Sequence, residues 1–364
     1  MSKYILKNKI NIGGVFFNLI ITYSIFFLFV VPSNIRFNHA RIFIPIFFLI
    51  LVLIVYMNNA TINKKDLILI YLVLIAGFLT MYYESITDGI VISMLILFVS
   101  AADFKNINIK YIYILVFIAF ISLTYQLYEN MGVPGYWEYT STLSVGDTNF
   151  AGFYMLLFFL LCFKIRFWPG IALGLGATFL FLSRTYFLAI IVFLLIHFYK
   201  NKIKIVLNRT NFIIILILLN TIIFMASYVL IGMSHFYADT GARGIGRLIV
   251  FSDSSAQNRI FLNFASLNLL LSEPAKMLFG FGEVFKESAV LYMGKVSHNS
   301  LLSMVGKHGL IFSFIYLLGL NKVINNIGWK RNLEYIVPII IYSLFLHGIY
   351  SKGFLILMTL IMII

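Results

Sequence analysis

The sequence predicts an all-α polytopic membrane protein, on three observations. Hydrophobic residues make up 62% of the chain and charged residues 11%, and the mean hydropathy is +0.99. The apolar residues form long runs of Leu, Ile and Phe, and a helix needs ~20 such residues to cross a hydrocarbon core. Strands of a membrane barrel would instead be short and alternating. Because unpaired backbone groups cannot face lipid, helices are the expected spanning elements.

About twelve apolar runs are candidate membrane-spanning helices, and we expect them to form a single integral membrane domain over residues 1–364. Their predicted bounds are 10–31, 41–57, 67–83, 88–102, 111–128, 149–163, 167–182, 185–199, 211–232, 298–320, 333–348 and 351–364. The first run follows a basic N-terminus as a signal peptide would. It is long, however, and no small-residue cleavage site follows it, so we expect a retained anchor.

The one long polar stretch of the chain, residues 232–297, lies between the ninth and tenth runs. Within it, an amphipathic helix is predicted to begin at Ser254, with Gln257 as its capping-box partner, and to end before Pro274. Its apolar residues recur at helical spacing: Ile260, Phe264, Leu267 and Leu271. We expect this helix to lie along the membrane surface or against the bundle. Arg259 is near its start, where the helix dipole favours an anion.

The positions of the charges predict the topology. The net charge of +14 invites a nucleic-acid partner, but the connections 83–88 and 129–148 contain no Lys or Arg, whereas the connections that alternate with them contain several. By the positive-inside rule, both termini are expected in the cytoplasm and residues 232–297 outside. We therefore expect contact with membrane lipid and no nucleic-acid partner. Cys162 is the only cysteine, which excludes an intramolecular disulfide and any zinc or redox motif.

Three small polar groups lie at the predicted outer ends of spans. Asp147 and Asn149 open the sixth span, where the simpler interpretation is a helix cap. Arg184 lies between two spans, where an arginine at membrane depth indicates a functional site, although it could instead extend to lipid phosphates. His298 and Asn299 open the tenth span, where a headgroup contact or a cap is the simpler interpretation.

Among the other histidines, four have no sequence neighbours that distinguish them: His39, His197, His235 and His347. His308 follows Lys307 within the tenth span.

Taken in order, the three groups and a segment of the polar stretch make the chain similar to the O-antigen polymerase and ligase superfamily, multi-span bacterial glycosyltransferases related to the C-type fold. The matching segments are Gly146-Asp147-Thr148-Asn149 with Ala151, Ser183-Arg184-Thr185, Asn258-Arg259 leading through Glu273-Pro274 to Gly280-Phe281-Gly282, and His298-Asn299 with Leu302 and Gly309-Leu310-Ile311. The resemblance covers roughly residues 140–315. Family members often have an acidic residue shortly after His-Asn, where this chain has Lys307, and we assign that position no role.

The resemblance implies transfer of a glycan from an undecaprenyl pyrophosphate carrier to an acceptor sugar hydroxyl, on the periplasmic side of the bacterial inner membrane. A diphosphate leaving group needs fixed cationic donors, and arginine offers a planar, permanently charged fork. Arg184 and Arg259 are the candidates. The acceptor hydroxyl needs a base that is neutral near pH 7, and histidine meets that requirement. His298 is the candidate base, with Asn299 orienting it or the sugar.

Five residues are assigned to substrate binding: Asp147, Asn149, Arg243, Arg247 and Asn299. The first outer loop, 32–41, contains no Asp or Glu, whereas many C-type glycosyltransferases have an acidic residue there, often with a metal. We therefore expect an inverting, metal-independent reaction without a cofactor. The expected partners are an undecaprenyl-pyrophosphate-linked oligosaccharide, a chain-length regulator and a flippase.

The leading hypothesis is a polymerase that joins O-antigen or capsule repeat units. A ligase that moves finished O-antigen onto lipid A core would use the same arginines and histidine. A flippase for lipid-linked oligosaccharides is an alternative without chemistry, but it should have ionisable residues deep in several spans, and most charges here are at span ends. A purely structural membrane subunit is the remaining alternative, and the outer arginines argue against it.

Overall fold

A computed structural model describes residues 18, 21–31, 63–80, 82–101, 108–132, 139–207, 212–234, 254–282, 284–285, 299–328, 331–345 and 352–364. In parts of these segments, including 200–207 and 254–260, it describes the backbone alone. The predicted span 41–57 lies outside the described residues, as do residues 235–253 and 286–298 of the polar stretch.

The described residues fold into helices without a strand. In chain order they are α1 (Ile21–Val30), α2 (Lys64–Leu79), α3 (Tyr83–Ala101), α4 (Ile109–Glu129), α5 (Thr148–Ile165), α6 (Trp168–Phe181), α7 (Arg184–Leu207), α8 (Phe212–Ser234), α9 (Ser254–Ser272), α10 (Pro274–Phe279), α11 (Ser300–Ile327), α12 (Leu333–Phe345) and α13 (Lys352–Ile363). Four helices in this part of the chain, α3, α4, α5 and α11, are long and apolar enough to cross a membrane. The prediction of a mostly helical membrane protein is confirmed, while the number of spans stays a prediction.

Local capping explains where several of these helices begin. The side chains of Asn63, Asn108, Asp147 and Asn299 each accept a hydrogen bond from a backbone N–H in the first turn of α2, α4, α5 and α11, respectively. Short polar side chains satisfy donors that have no partner within the helix, so they favour this position.

The second and third described helices begin earlier than predicted. α2 begins at Lys64 and α3 at Tyr83, whereas apolar runs indicated spans from 67 and 88. Residues 83–88, expected as an outer connection, form the first turns of α3. Hydropathy places the start of a span at its first apolar residue, but a helix includes polar residues that pair with another helix, and Glu84 and Asp88 do so here.

The helices pack in two groups. α2, α3 and α11 pack together, and so do α5, α6, α7 and α12, while α13 contacts α3, α5, α11 and α12 and so joins the groups. Small residues allow close approach in the second group: Gly174 of α6 faces the Phe159 ring of α5, and Cys162 is buried beside Gly170. α4 packs on α1 and also contacts α5 and α6.

Ionic and polar contacts mark one end of the bundle, which we call the basic end. Lys322 Nζ lies 2.9 Å from Asp66 Oδ1, and Lys164 Nζ donates to Asn332 Oδ1 over 2.8 Å. The opposite end, where α5, α7 and α11 begin, is the loop end. Residues predicted on one side of the membrane thus meet at one end, and which end faces outward stays a prediction.

The predicted tenth span is a broken helix. α11 is interrupted at Gly309, whose φ of 81° and ψ of 161° are not helical. Its second part, 310–327, is about 27 Å long at the rise of an α-helix, so it could nearly cross a hydrocarbon core without the first part.

A turn at Gly280–Gly282, which we call the return turn, occupies the break. The N–H groups of Phe281 and Gly282 donate to the carbonyls of Gly306 and Lys307 over 2.8 and 3.0 Å. Those carbonyls would bond to α11 itself if the helix were continuous, so the polar stretch supplies the hydrogen bonds that the break removes.

The amphipathic helix forms, but its buried face differs from the predicted one. α9 begins at Ser254 and ends at Ser272, as predicted. Its most buried described residues are Leu262, Ser266 and Leu270, while Leu271, predicted on the apolar face, is 62% exposed. α9 contacts α8, α10 and α11 rather than standing alone, and these neighbours, not the spacing of apolar residues, select the buried side.

Candidate functional site

The first predicted group is the beginning of α5. The Oδ1 atom of Asp147 accepts from the N–H groups of Asn149 and Phe150 over 2.8 and 3.0 Å. The preceding Gly146 has a φ of 78°, which suits glycine. The capping interpretation of Asp147 is therefore confirmed. Its side chain is exposed, and its assignment to substrate binding stays a prediction.

The first group joins the second through Asn149. Ser183 Oγ donates to Asn149 Oδ1 over 3.0 Å, which connects the beginning of α5 to the residue just before α7. Arg184 is the first residue of α7 and is half-buried. It directly follows Ser183, so its backbone lies at the loop end.

α12 connects the beginning of α11, where the third group lies, to the beginning of α5. The Tyr342 hydroxyl donates to the Asn149 carbonyl over 2.6 Å, and the next residue, Ser343, accepts from Ser300 Oγ through its carbonyl. Adjacent residues near the end of α12 therefore contact the beginnings of both α5 and α11. We call Asn149, Ser183, Asn299, Ser300 and Tyr342 the loop-end polar cluster.

Asn299 is buried within this cluster. Its Oδ1 atom accepts from Leu302 N–H over 3.0 Å, and its Nδ2 atom donates to Asn220 Oδ1 of α8 over 2.9 Å. These bonds hold the beginning of α11 against α8. The binding role predicted for Asn299 stays a prediction.

The structure places the remaining predicted residues only in part. Arg259 is in the second turn of α9, a helix packed against α11, and its side chain is not described. Arg243, Arg247 and His298 lie outside the described residues. The roles assigned to these residues stay predictions.

A second polar cluster, which sequence reasoning missed, lies between α3 and the break in α11. Ser85 Oγ lies 2.8 Å from His308 Nδ1, and Asp88 Oδ2 lies 3.5 Å from His308 Nε2. Next to them, Lys307 Nζ lies 3.4 Å from Glu84 Oε2. The α3 residues of this cluster are about 220 positions away in the chain from its α11 residues. Two features of the sequence could have indicated this cluster. Glu84 and Asp88 lie at the predicted outer end of one span, and Lys307 and His308 follow the predicted outer end of another.

His197, which no sequence neighbour distinguished, also has an acidic companion. Its Nδ1 atom lies 3.4 Å from Glu334 Oε2 at the basic end, and its ring packs edge-on against Phe163, with centroids 4.9 Å apart. The contact joins α7 to α12 at the end opposite the loop-end polar cluster. It therefore lies where α7 packs against α12.

In the part of the chain that the structure describes, no group of three or more His, Cys, Asp or Glu side chains is placed to hold a metal ion. Comparison with protein-family models, with curated proteins and with solved structures finds no match. The functional argument therefore depends on the residues of this chain and their positions.

Proposed function

We propose that the protein is a membrane glycosyltransferase that polymerises O-antigen or capsule repeat units at its loop end. The proposal combines the resemblance stated above with one structural observation. Residues of the first two groups, Asn149 and Ser183, bond to each other, and the adjacent residues Tyr342 and Ser343 of α12 bond to Asn149 and to Ser300, which follows the third group, so that the beginnings of α5, α7 and α11 lie together. A reaction between two lipid-linked substrates needs its polar groups together at one membrane surface.

In this mechanism the transferred glycan leaves its pyrophosphate carrier as the acceptor hydroxyl attacks. Arg184 and Arg259 would stabilise the charge that develops on the diphosphate, because a fixed guanidinium group can donate two parallel hydrogen bonds to phosphate oxygens. His298 would take the proton of the acceptor hydroxyl. The loop-end polar cluster would hold the beginnings of the helices in position.

A purified protein and a single substrate test this proposal. The protein in detergent micelles is incubated with an undecaprenyl-pyrophosphate-linked repeat unit, and the products are separated on a gel. A ladder of longer glycans is expected from a polymerase. Product formed only after lipid A core is added would indicate a ligase. Absence of product under both conditions, with a positive control enzyme active, would contradict glycan transfer.

Transport is the second candidate, and one observation favours it. Asp88 and His308 are buried between helices at a broken helix, and such positions are typical of transport pathways. A flippase would yield no product in micelles, but it would move a fluorescent lipid-linked oligosaccharide across the bilayer of a proteoliposome. That second assay separates the two candidates.

Replacing Arg184 with lysine is expected to reduce polymer formation about 10²-fold, because lysine keeps the charge but loses the paired hydrogen bonds of the guanidinium group. The rate of ladder formation by equal amounts of purified protein is the measurement. Arg331→Lys is the matched control, since Arg331 is exposed before α12 at the basic end. An Arg184→Lys protein as active as this control would contradict the clamp and favour diphosphate binding by backbone amides.

A further inference from the structure

Two apolar side chains at the end of α10 are exposed beside the break in α11. Leu278 is 39% exposed and Phe279 is 50% exposed. Their backbone lies against Gly309, where a Cβ atom would collide with the Leu278 carbonyl oxygen and the Phe279 carbonyl carbon. Directly after the break, Leu310 and Phe314 of α11 are exposed as well. Apolar surface of the polar stretch therefore lies next to apolar surface of a helix suited to crossing a membrane.

The basic end marks one boundary of the apolar band on these helices. Lys64 and Lys65, at the beginning of α2, are exposed, and Asp66 lies 2.9 Å from Lys322 of α11. From Leu67 to the end of α2, the exposed side chains are all large and hydrophobic. Exposed ammonium groups are strongly disfavoured in hydrocarbon. The boundary between water and hydrocarbon at the basic end is therefore close to the ion pair.

Contacts along α2 and α11 align the two helices from the basic end to the break. A Cβ atom on Gly319 would lie within 4 Å of Val73, and one on Gly77 would lie 3.5 Å from the Phe312 ring. The helices are therefore antiparallel, and the end of α2 lies near the break in α11. Distances along the two helices can be measured from the same boundary.

The break lies well inside the thickness of a bilayer. Gly309 is about 20 Å along α11 from Lys322, and the end of α2 is about 20 Å from Asp66, at the rise of an α-helix. A hydrocarbon core is ~30 Å thick, so about 10 Å remain between the break and the opposite boundary. The last turn of α11 does not alter this estimate, because Asn325 and Asn326 are exposed beyond Lys322. A tilt of the helices would place the break deeper still.

The backbone of the return turn meets the requirement for irregular structure at this depth. Non-helical backbone is tolerated in hydrocarbon only where the protein supplies its hydrogen bonds. The N–H groups of Phe281 and Gly282 donate to the carbonyls of Gly306 and Lys307. The return turn also packs against the connection that follows α2, because a Cβ atom on Gly282 would lie 3.4 Å from the Tyr82 ring.

The charged residues near this segment have partners of opposite charge. Glu273 lies 2.6 Å from Lys276, and the Lys276 ammonium group lies 5.4 Å from the centroid of the Phe281 ring. Glu84 of α3 lies 3.4 Å from Lys307 of α11. Pairing lowers the cost of charge near hydrocarbon, and the long side chain of Lys276 can extend toward the headgroups.

We propose that α10 and the return turn form a re-entrant membrane element, in which Leu278 and Phe279 contact the acyl chains of the bilayer. This element completes the apolar band where α2 and the second part of α11 are too short to reach the opposite boundary. The positive-inside rule predicts the side of the polar stretch, not its depth. Because the element enters and leaves on the same side, it adds no span, whichever end of the bundle faces outward.

Spin labelling of the full-length protein in phospholipid vesicles tests this proposal. A single nitroxide is attached to Phe279→Cys in a Cys162→Ala background, and its collisions with oxygen, which concentrates in hydrocarbon, are compared with those of a water-soluble nickel chelate. Lipids labelled at known positions calibrate the depth. The nitroxide is expected about 10 Å inside the loop-end boundary. Phe314→Cys is the reference for a deeper lipid-facing site, and Asn326→Cys for water at the basic end.

Two further variants make the test decisive. Lys276→Cys, one turn earlier on the same helix, should place its nitroxide nearer to the headgroups than Phe279→Cys does. Leu278→Cys supplies the same measurement if Phe279→Cys fails to fold. Nickel collisions as frequent as those at Asn326→Cys would show that α10 lies in water. Protection from both reagents would show that another protein segment or a second copy covers it. Either result would overturn the proposal, and neither depends on glycan transfer, since no glycan is used.

Discussion

Gly309→Ala is expected to destabilise the protein by about 3 kcal/mol or more, because a side chain cannot fit at the break in α11. Its φ of 81° and ψ of 161° lie in a region that essentially only glycine adopts. A Cβ atom there would collide with the Leu278 carbonyl oxygen and would lie 2.6 Å from the Gly280 nitrogen. Both obstacles are backbone atoms, so no side chain can rotate away to relieve the collision.

Thermal unfolding in detergent measures this effect. The temperature at which half of the protein leaves the monodisperse gel-filtration peak should fall by about 5 °C or more in Gly309→Ala. Gly280→Ala should behave similarly, since its Cβ atom would lie 2.5 Å from the Lys307 carbonyl oxygen. Gly176→Ala is the control, because nothing lies within 4 Å of a Cβ atom there. If Gly309→Ala unfolds at the same temperature as this control, the return turn does not occupy the break as described.

His298→Ala is expected to lower the rate of glycan transfer by ~10²–10⁴-fold, the usual contribution of a positioned general base. His298 directly precedes Asn299, the capping residue of α11, so it is adjacent in the chain to the loop-end polar cluster. Its removal should leave the thermal unfolding temperature close to that of the unmodified protein. His235→Ala, which removes a histidine without an assigned role from the same polar stretch, is the matched control.

The pH and metal dependence of the rate complete this test. Transfer should slow as the pH falls, because a protonated imidazole cannot accept the acceptor's proton. EDTA should leave the rate unchanged if the reaction is metal-independent. Near-normal transfer by His298→Ala would exclude the base assignment, and inhibition by EDTA that added metal reverses would exclude the metal-free mechanism.

The break in α11 changes how the polar stretch relates to the membrane helices. The return turn is hydrogen-bonded into α11, and the Phe285 ring packs on Gly306. α10 also packs against α11. Movement of this part of the stretch must therefore disturb the helix that begins at Asn299. The return turn is thus connected through α11 to Asn299 of the loop-end polar cluster.

Sequence reasoning predicted the features that depend on residues close together in the chain. The apolar runs predicted the apolar helices, and the beginning of α9 at Ser254 and its end before Pro274 followed from capping and proline. Asp147 was interpreted as a cap on the same grounds, and it is one. The exact beginning of α3 was missed because Glu84 and Asp88 are polar by composition but pair with α11.

By itself, the sequence determined that this is a helical membrane protein with one long polar stretch, because hydropathy and capping are properties of short segments. Only the tertiary structure decided that α11 breaks at Gly309 and that His308 is buried against Ser85 and Asp88. It also decided that Tyr342 and Ser343 connect the beginnings of α5 and α11. Such contacts join residues far apart in the chain, and the packing of whole helices, which no short segment encodes, selects them.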